Sequence, residues 1–356
     1  MKGVQELISS LDRKRQIVIQ AHDFPDHDAV ASAYGLAYLL ELNEIRAFLS
    51  YGGEIQSQSL SEAIRVLEIP IVPSAKLMPA HDAQIIVVDG FAGNKNMTGM
   101  PGEVVGVIDH HTPPTEPDCR YWDIREHYGA CSTIIYEYYK IATAEMTPSV
   151  ATALLMGLMM DTAFMTRGVS KIDLEAFSTL FFQGDWKTGS RLLKNSLSLR
   201  DLGVFREAIN SCIVAEDFCF LLIQKECSPE VMALVADFFL GLREVQFVVV
   251  VAPDREEYRL SVRSEDAARA SDVVIKLALE GIGAGGGHIH MGGGSIPHDL
   301  FPGEEGLRRR FMTALGMDYP TAFNRTTNTF AGRHRAHARR APLHDTRHCA
   351  RFAGER

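Results

Sequence analysis

The sequence predicts an α/β fold in two domains, a parallel-sheet N-terminal domain and a smaller α/β C-terminal domain. Three observations predict it. Short apolar runs alternate with helical patterns through the first half of the chain, which is βαβ organisation. Three of those runs end in carboxylates and imidazoles, as strands of a parallel sheet do where a ligand binds beyond their carboxyl ends. A charged, amphipathic stretch from about Lys187 then leads into a second set of strand and helix patterns that ends in a glycine cluster.

In chain order, Ile17–Gln20 reads as a strand and about Ala29–Leu42 as a helix. Arg46–Ser50 reads as a strand and Ser61–Leu67 as a helix. Gln84–Asp89 and Val104–Asp109 are two further strands. Helices follow at Ile134–Tyr139 and at the strongly apolar Ser149–Met160, which stops at Asp161-Thr162. A connecting helix is expected over 187–209. Beyond it, strands are expected at Phe218–Gln224, Val245–Ala252 and Tyr258–Arg263, the last two joined as a hairpin through Asp254-Arg255-Glu256. Pro229–Leu240 and Ser271–Leu279 read as helices. The expected bounds are thus 1–186 and 210–320 for the two domains. The tail, 321–356, carries eight Arg, four His and only two acids without periodicity or apolar mass, and is expected to be disordered.

Composition narrows the function classes. The 356 residues carry a net charge of −9, which speaks against a surface that coats nucleic acid generally. The N-terminus has no apolar leader segment, and no apolar run is long enough to span a membrane. The six cysteines form no CxxC pair and no disulfide framework, so a reduced, cytoplasmic protein is expected.

The chemistry sits at the strand ends. His22 and Asp23 follow the first strand, with Asp26 and Asp28 just beyond; Asp89 and Asp109-His110-His111 end the later two. Two carboxylates as close as Asp26 and Asp28 repel one another unless a cation lies between them. His22, Asp26, Asp28, Asp89, His110 and Asp161 make six oxygen or imidazole ligands with no thiolate, which disfavours structural zinc and suits Mn²⁺ or a similar ion. Six ligands are too many for one open ion and suit two, bridged by a carboxylate.

Together these residues resemble the DHH phosphoesterases. The matching stretches are His22-x-x-x-Asp26-x-Asp28-Ala29, Asp89, Asp109-His110-His111, Gly157-Leu158-Met159-Met160-Asp161-Thr162, Ser261-Val262-Arg263-Ser264 and Gly285-Gly286-Gly287-His288. They fall in the family's order across about residues 10 to 300, and the two-domain nanoRNase and pAp-phosphatase type is the most similar subgroup. The resemblance implies a DHH catalytic domain, a DHHA-type substrate domain and an active-site cleft between them. It implies that His22 and Asp26 hold one Mn²⁺, that Asp28, His110 and Asp161 hold another, and that Asp89 bridges, with Mg²⁺ or Co²⁺ as substitutes. His111 would stabilise charge on the scissile phosphate and Asp109 would orient an imidazole. Arg263 would pair with a substrate phosphate, Gly285, Gly286 and Gly287 would let backbone N–H groups approach one, and His288 would touch the substrate.

The implied activity is hydrolysis of short RNA oligonucleotides to nucleoside 5′-monophosphates, with pAp as a second substrate. A cyclic or linear dinucleotide phosphodiesterase, a polyphosphatase or pyrophosphatase, and an inactive nucleotide-binding module are the alternatives. The expected partner is a short oligonucleotide or a small phosphorylated nucleotide; no membrane partner is expected, and a homodimer is left open. Two departures from the family pattern stand out. His27 occupies a position usually small and is expected to point to solvent rather than to add a ligand. Met291-Gly292-Gly293-Gly294 replaces the usual Ala-Ala-Gly and puts substrate choice in doubt. Arg167 reads equally well as a phosphate contact and as a surface residue, and Ser132-Thr133 as a helix cap.

Overall fold

The computed structural model describes residues 3–318, except 95, 114, 195, 196 and 256, and the backbone pairing of 324–325. The rest of the 321–356 tail, and with it the expectation of disorder, lies outside the described residues. The first domain is built on six strands: β1 (Ile17–Ala21), β2 (Ala47–Tyr51), β3 (Ile71–Pro73), β4 (Gln84–Val88), β5 (Glu103–Asp109) and β6 (Tyr121–Ile124). Their order is β3-β2-β1-β4-β5-β6 and every pairing is parallel. Helices α1 (Val4–Ser10), α2 (His27–Glu41), α3 (Gln58–Val66) and α4 (Ser74–Leu77) alternate with the early strands. Then come α5 (Cys131–Ala142), α6 (Pro148–Asp161), α7 (Lys171–Gln183) and α8 (Trp186–Lys194).

Burial explains the apolar runs. β1 and β4 are buried along their whole length because both faces are covered. On one face Ile19, Ile86 and Ile108 pack with α2, α5 and α6 residues such as Leu36, Ile135 and Leu155. On the other, Val18, Ile85, Val87 and Val107 close a smaller cluster under Phe91 and Met97. Helix α6 starts cleanly because Thr147 caps it and Pro148 fills its first position, where no N–H is needed.

The expected connecting helix is broken: α8 ends at Lys194 and α9 (Asp201–Ser211) starts anew, with Ser198 bonding Asp201 at the second start. The second domain adds β7 (Ile213–Ala215), β8 (Phe218–Leu222), α10 (Pro229–Leu240), β9 (Phe247–Asp254), β10 (Glu257–Ser264), α11 (Ser271–Leu279), β11 (Ala284–Gly287), β12 (Met291–Pro297), α12 (Gly303–Ala314) and β13 (Asn324–Arg325). The sheet order is β11-β12-β10-β9-β8-β7-β13, antiparallel except between β8 and β9. Helices α11 and α12 pack on one face through Ile275, Leu279 and Phe311, and α9 and α10 on the other through Ala208, Val235 and Phe239. The glycine cluster is not a loop but a hairpin, with Gly285, Gly286 and Gly287 of β11 facing Gly294, Gly293 and Gly292 of β12. Among the described residues no helix is long and apolar enough to cross a membrane.

Candidate metal centre

Because β1, β4 and β5 are neighbours running the same way, His22, Asp89 and Asp109-His110-His111 emerge side by side. Asp89 takes a left-handed conformation (φ 55°), which turns the chain sharply at the end of β4 while its N–H still donates to Ile108. Helix α2 begins at this edge. Asp26 is its N-cap, with one oxygen accepting the N–H groups of Asp28 and Ala29. Helix α6 delivers Asp161 from its last turn.

Ligand atoms of His22, Asp26 and Asp89 lie within 4.8 Å of one another, as do those of Asp28, His110 and Asp161. A third group of the same kind, Asp89, Asp109, His110 and His111, overlaps both. Asp89 thus stands between the two triads. His110 Nε2 is 3.0 Å from Asp161 Oδ2 and 3.6 Å from Asp89 Oδ1. Yet His110 Nε2, Asp89 Oδ1 and His22 Nδ1 are buried and make no aligned hydrogen bond among the described residues. Buried polar atoms are ordinarily satisfied. Atoms that converge on a point without bonding one another, drawn from carboxylates and imidazoles alone, fit divalent cations.

The electrostatics point the same way. Burial, then the charges of Asp161 and Asp26, push the Asp28 carboxyl up to about 7. Burial and the charges of Asp28 and Asp26 raise Asp89 well above the carboxylate range. Burial would lower His110, but Asp161, Asp89 and Asp28 outweigh it and lift the imidazole to about 11. Without cations, protons on these groups offset the repulsion among the buried carboxylates.

The supporting contacts were invisible in the sequence. The Asp28 carboxylate accepts the N–H groups of Cys131 (2.6 Å) and Ser132 (2.9 Å) at the start of α5, where a negative charge is favoured. Ser132 therefore serves as a backbone donor to Asp28 rather than as a helix cap. The approach of α6 requires Gly157, since a Cβ there would fall 2.4 Å from Ser132 Oγ and 2.9 Å from Asp28 Oδ1. His110 Nδ1 is 3.1 Å from the Tyr128 carbonyl; as a donor there, it leaves the Nε2 lone pair for an ion. Asp109 Oδ1 accepts the N–H groups of His110 and His111 and sits 2.9 Å from His111 Nδ1, so it fixes that ring and leaves Nε2 to the cleft.

His27 points neither to solvent nor to the ligands. It is buried, with Nε2 3.3 Å from Ser59 Oγ. Ser59 and Ser57 donate to Glu230 Oε1 and the Gln58 N–H to Oε2, so a second-domain carboxylate caps α3 beside the ligand helix.

The cleft is a cavity of about 830 Å³ with walls from both domains. Asp161, His110, His111 and Arg167 line one side; Gly287, His288, His290 and Asp272 line the other. The His111 and His288 rings stack across it, centroids 5.6 Å apart. Gly286 has open space above it, whereas a Cβ at Gly285 would strike Ile275, so Gly285 serves packing against α11. Arg263 is not among the residues that line the cleft. It is buried, with Nε 2.6 Å from Asp237 and Nη1 bonded to Ser261 Oγ and the Val262 carbonyl.

Comparisons with known proteins match this architecture. The model of the DHH family N-terminal domain matches residues 16–158, and that of the DHHA1 domain matches residues 212–309. An uncharacterised protein of Methanocaldococcus jannaschii is 24% identical over 318 residues, covering 86% of this chain and 65% of that protein. The cyclic-di-AMP phosphodiesterase PdeA of Listeria monocytogenes is 23% identical over 325 residues, covering 81% of this chain and 45% of that one. The chain thus spans less than two thirds of either relative. A solved exopolyphosphatase-related protein from Bacteroides fragilis superposes with a TM-score of 0.73 at 21% identity, over 88% of this chain and 95% of that one, a likeness of fold.

Proposed function

We propose, from the premise that this chain belongs to the DHH family of phosphoesterases and carries a DHHA1 domain, that it hydrolyses short RNA oligonucleotides to nucleoside 5′-monophosphates. The observation that carries the reading is the pair of ligand triads, one ending in Asp89 and the other 3.6 Å from it through His110, at the wall of a two-sided cleft. His22 and Asp26 would hold one ion, Asp28, His110 and Asp161 the other, with Asp89 shared. Two divalent ions held there, Mn²⁺ by preference, would supply an activated water and charge to offset the phosphoryl oxygens.

The chain's own residues do the rest. Asp109 keeps the His111 ring in one orientation by accepting from Nδ1, and Nε2 faces the cleft, where a ring carrying both protons would donate to a phosphoryl oxygen as charge develops on it. His288, stacked on His111, closes the site from the second domain and limits water entry. Open space above Gly286, next to the cleft-lining Gly287, would let substrate approach the backbone. The charge of the walls favours a short nucleotide over an inorganic polyanion: Arg167 is the one Lys or Arg among the cleft-lining residues, and Glu126 and Asp272 line it too. The likeness to PdeA favours cyclic di-AMP or pApA as the second reading.

The test is a Mn²⁺-dependent panel of RNA di- to pentamers, pAp, pApA, cyclic di-AMP, polyphosphate and pyrophosphate, with His110→Ala as blank. Release of mononucleotides from the shortest RNAs is expected. Turnover limited to the cyclic dinucleotide or to inorganic phosphates would replace the substrate and keep the metal chemistry.

A further inference from the structure

The cleft holds a guanidinium to which neither the metal chemistry nor the fold assigns a task. Arg167 lines the cavity with Asp161, His111 and His288, and its side chain makes no hydrogen bond or ion pair among the described residues. The backbone that delivers it is strained. Ala163, Phe164 and Met165 take φ of 46°, 57° and 63°, three successive non-glycine residues in the left-handed region, and Gly168 follows at 61°. L-residues resist that conformation, and such strain persists only where the surroundings impose it. Here buried Thr162 imposes it. Its Oγ1 donates to Leu158 and accepts the Met165 N–H, and its carbonyl accepts those of Thr166 (2.9 Å) and Arg167 (3.0 Å). The turn folds Arg167 back over the end of α6. There it lines the cavity beside Asp161, facing a wall that carries His288 and Asp272 of the second domain.

A phosphodiester under attack must lie at the metal ligands. A second phosphate on the same substrate would meet Glu126 and Asp272 elsewhere in the cleft, and Arg263 is already engaged by Asp237. Arg167 is left, and its planar fork matches phosphate geometry. We propose that Arg167 receives an uncleaved phosphate of the substrate, one nucleotide from the scissile one, so that the cleft selects 5′-phosphorylated dinucleotides over unphosphorylated ones. The proposal rests on the oligonucleotide reading above and moves the phosphate contact from Arg263 to Arg167.

The experiment compares pApA with ApA in the full chain with Mn²⁺, for wild type, Arg167→Ala and Arg167→Lys, after thermal melts confirm folding. Arg167→Ala should raise KM for pApA about 10- to 100-fold, the loss expected for a hydrogen bond to a charged group, and leave kcat close to wild type. KM for ApA should move less than about threefold, and the lysine should recover part of the loss because it keeps the charge without the fork. Equal losses on both substrates, or none, would overturn the assignment. A parallel binding titration uses pApA and ApA analogues with a methylene in place of the bridging scissile oxygen. If the chain cleaves no oligonucleotide, the oligonucleotide reading falls, and this titration still decides Arg167. A preference for the phosphorylated analogue that vanishes in Arg167→Ala sustains it, and equal binding by both proteins sinks it.

Discussion

Asp28 shows how much one carboxylate can carry. It is wholly buried, takes two N–H groups from α5, and is pushed up to about 7 by burial and by Asp161. The sign of its effect follows. A carboxyl raised in the folded state stabilises the metal-free protein below pH 3.8 and loses that contribution as pH climbs towards 7. His110, raised to about 11, contributes fully below 6.5 and less as pH rises beyond it. The chelated protein should therefore melt at a lower temperature at pH 8 than at pH 5, and added Mn²⁺ should raise Tm more at pH 8, where fewer protons must leave. Equal Mn²⁺ shifts at both pH values would remove these groups from the ion site. Asp89→Ala deletes the carboxylate between the triads; turnover should fall below detection and bound Mn²⁺ per chain should drop on metal analysis. Near-normal rates would refute the two-ion assignment. The polar residues that converge here were legible because they follow apolar runs, and a polar cluster at a strand end needs an explanation. The burial of His27 and the pairing of Arg263 with Asp237 were illegible for one shared reason: the partners, Ser59 and Asp237, lie 32 and 26 positions away and no local pattern announces them.

Among the elements, those with strong periodicity or plain caps could be read and those made by context could not. Pro229–Leu240 and Ser271–Leu279 have the predicted bounds, the first because Ser228 caps it and Pro229 occupies its first position. The three-residue β3 and the four-residue β6 were not anticipated, since so short a run is strand only because a neighbour pairs with it. The glycine cluster carries almost no side chains to betray a strand, so its pairing is written in backbone alone. The same holds for the cap on α3. Its N-cap is Ser57, but Glu230 at the start of α10 completes it from the other domain with three hydrogen bonds. Glu230→Ala should loosen this join. A larger radius of gyration by small-angle X-ray scattering and a higher KM are expected, with Mn²⁺ affinity unchanged because no ligand is touched. An unaltered radius would show that the cleft is held closed by other contacts.

Across the whole molecule, the proposed ion ligands come from a single sheet and its helices, while the opposite wall of the cleft belongs to a second sheet. Gly287 tests that division. Its φ of 142° and its contact with the Met291 carbonyl, 2.4 Å from where a Cβ would sit, leave no room for alanine. Gly287→Ala should distort the hairpin and raise KM, while a Mn²⁺ titration gives the wild-type affinity. A weakened ion site would mean that the two walls are mechanically one. If they are separate, the molecule resembles a fixed cutter facing an interchangeable jig. Mutation can reshape the hairpin that carries Met291-Gly292-Gly293-Gly294, and every new shape would meet the same arrangement of proposed ion ligands. New substrates could then be tried one change of the hairpin at a time, with the proposed ion ligands left in place throughout.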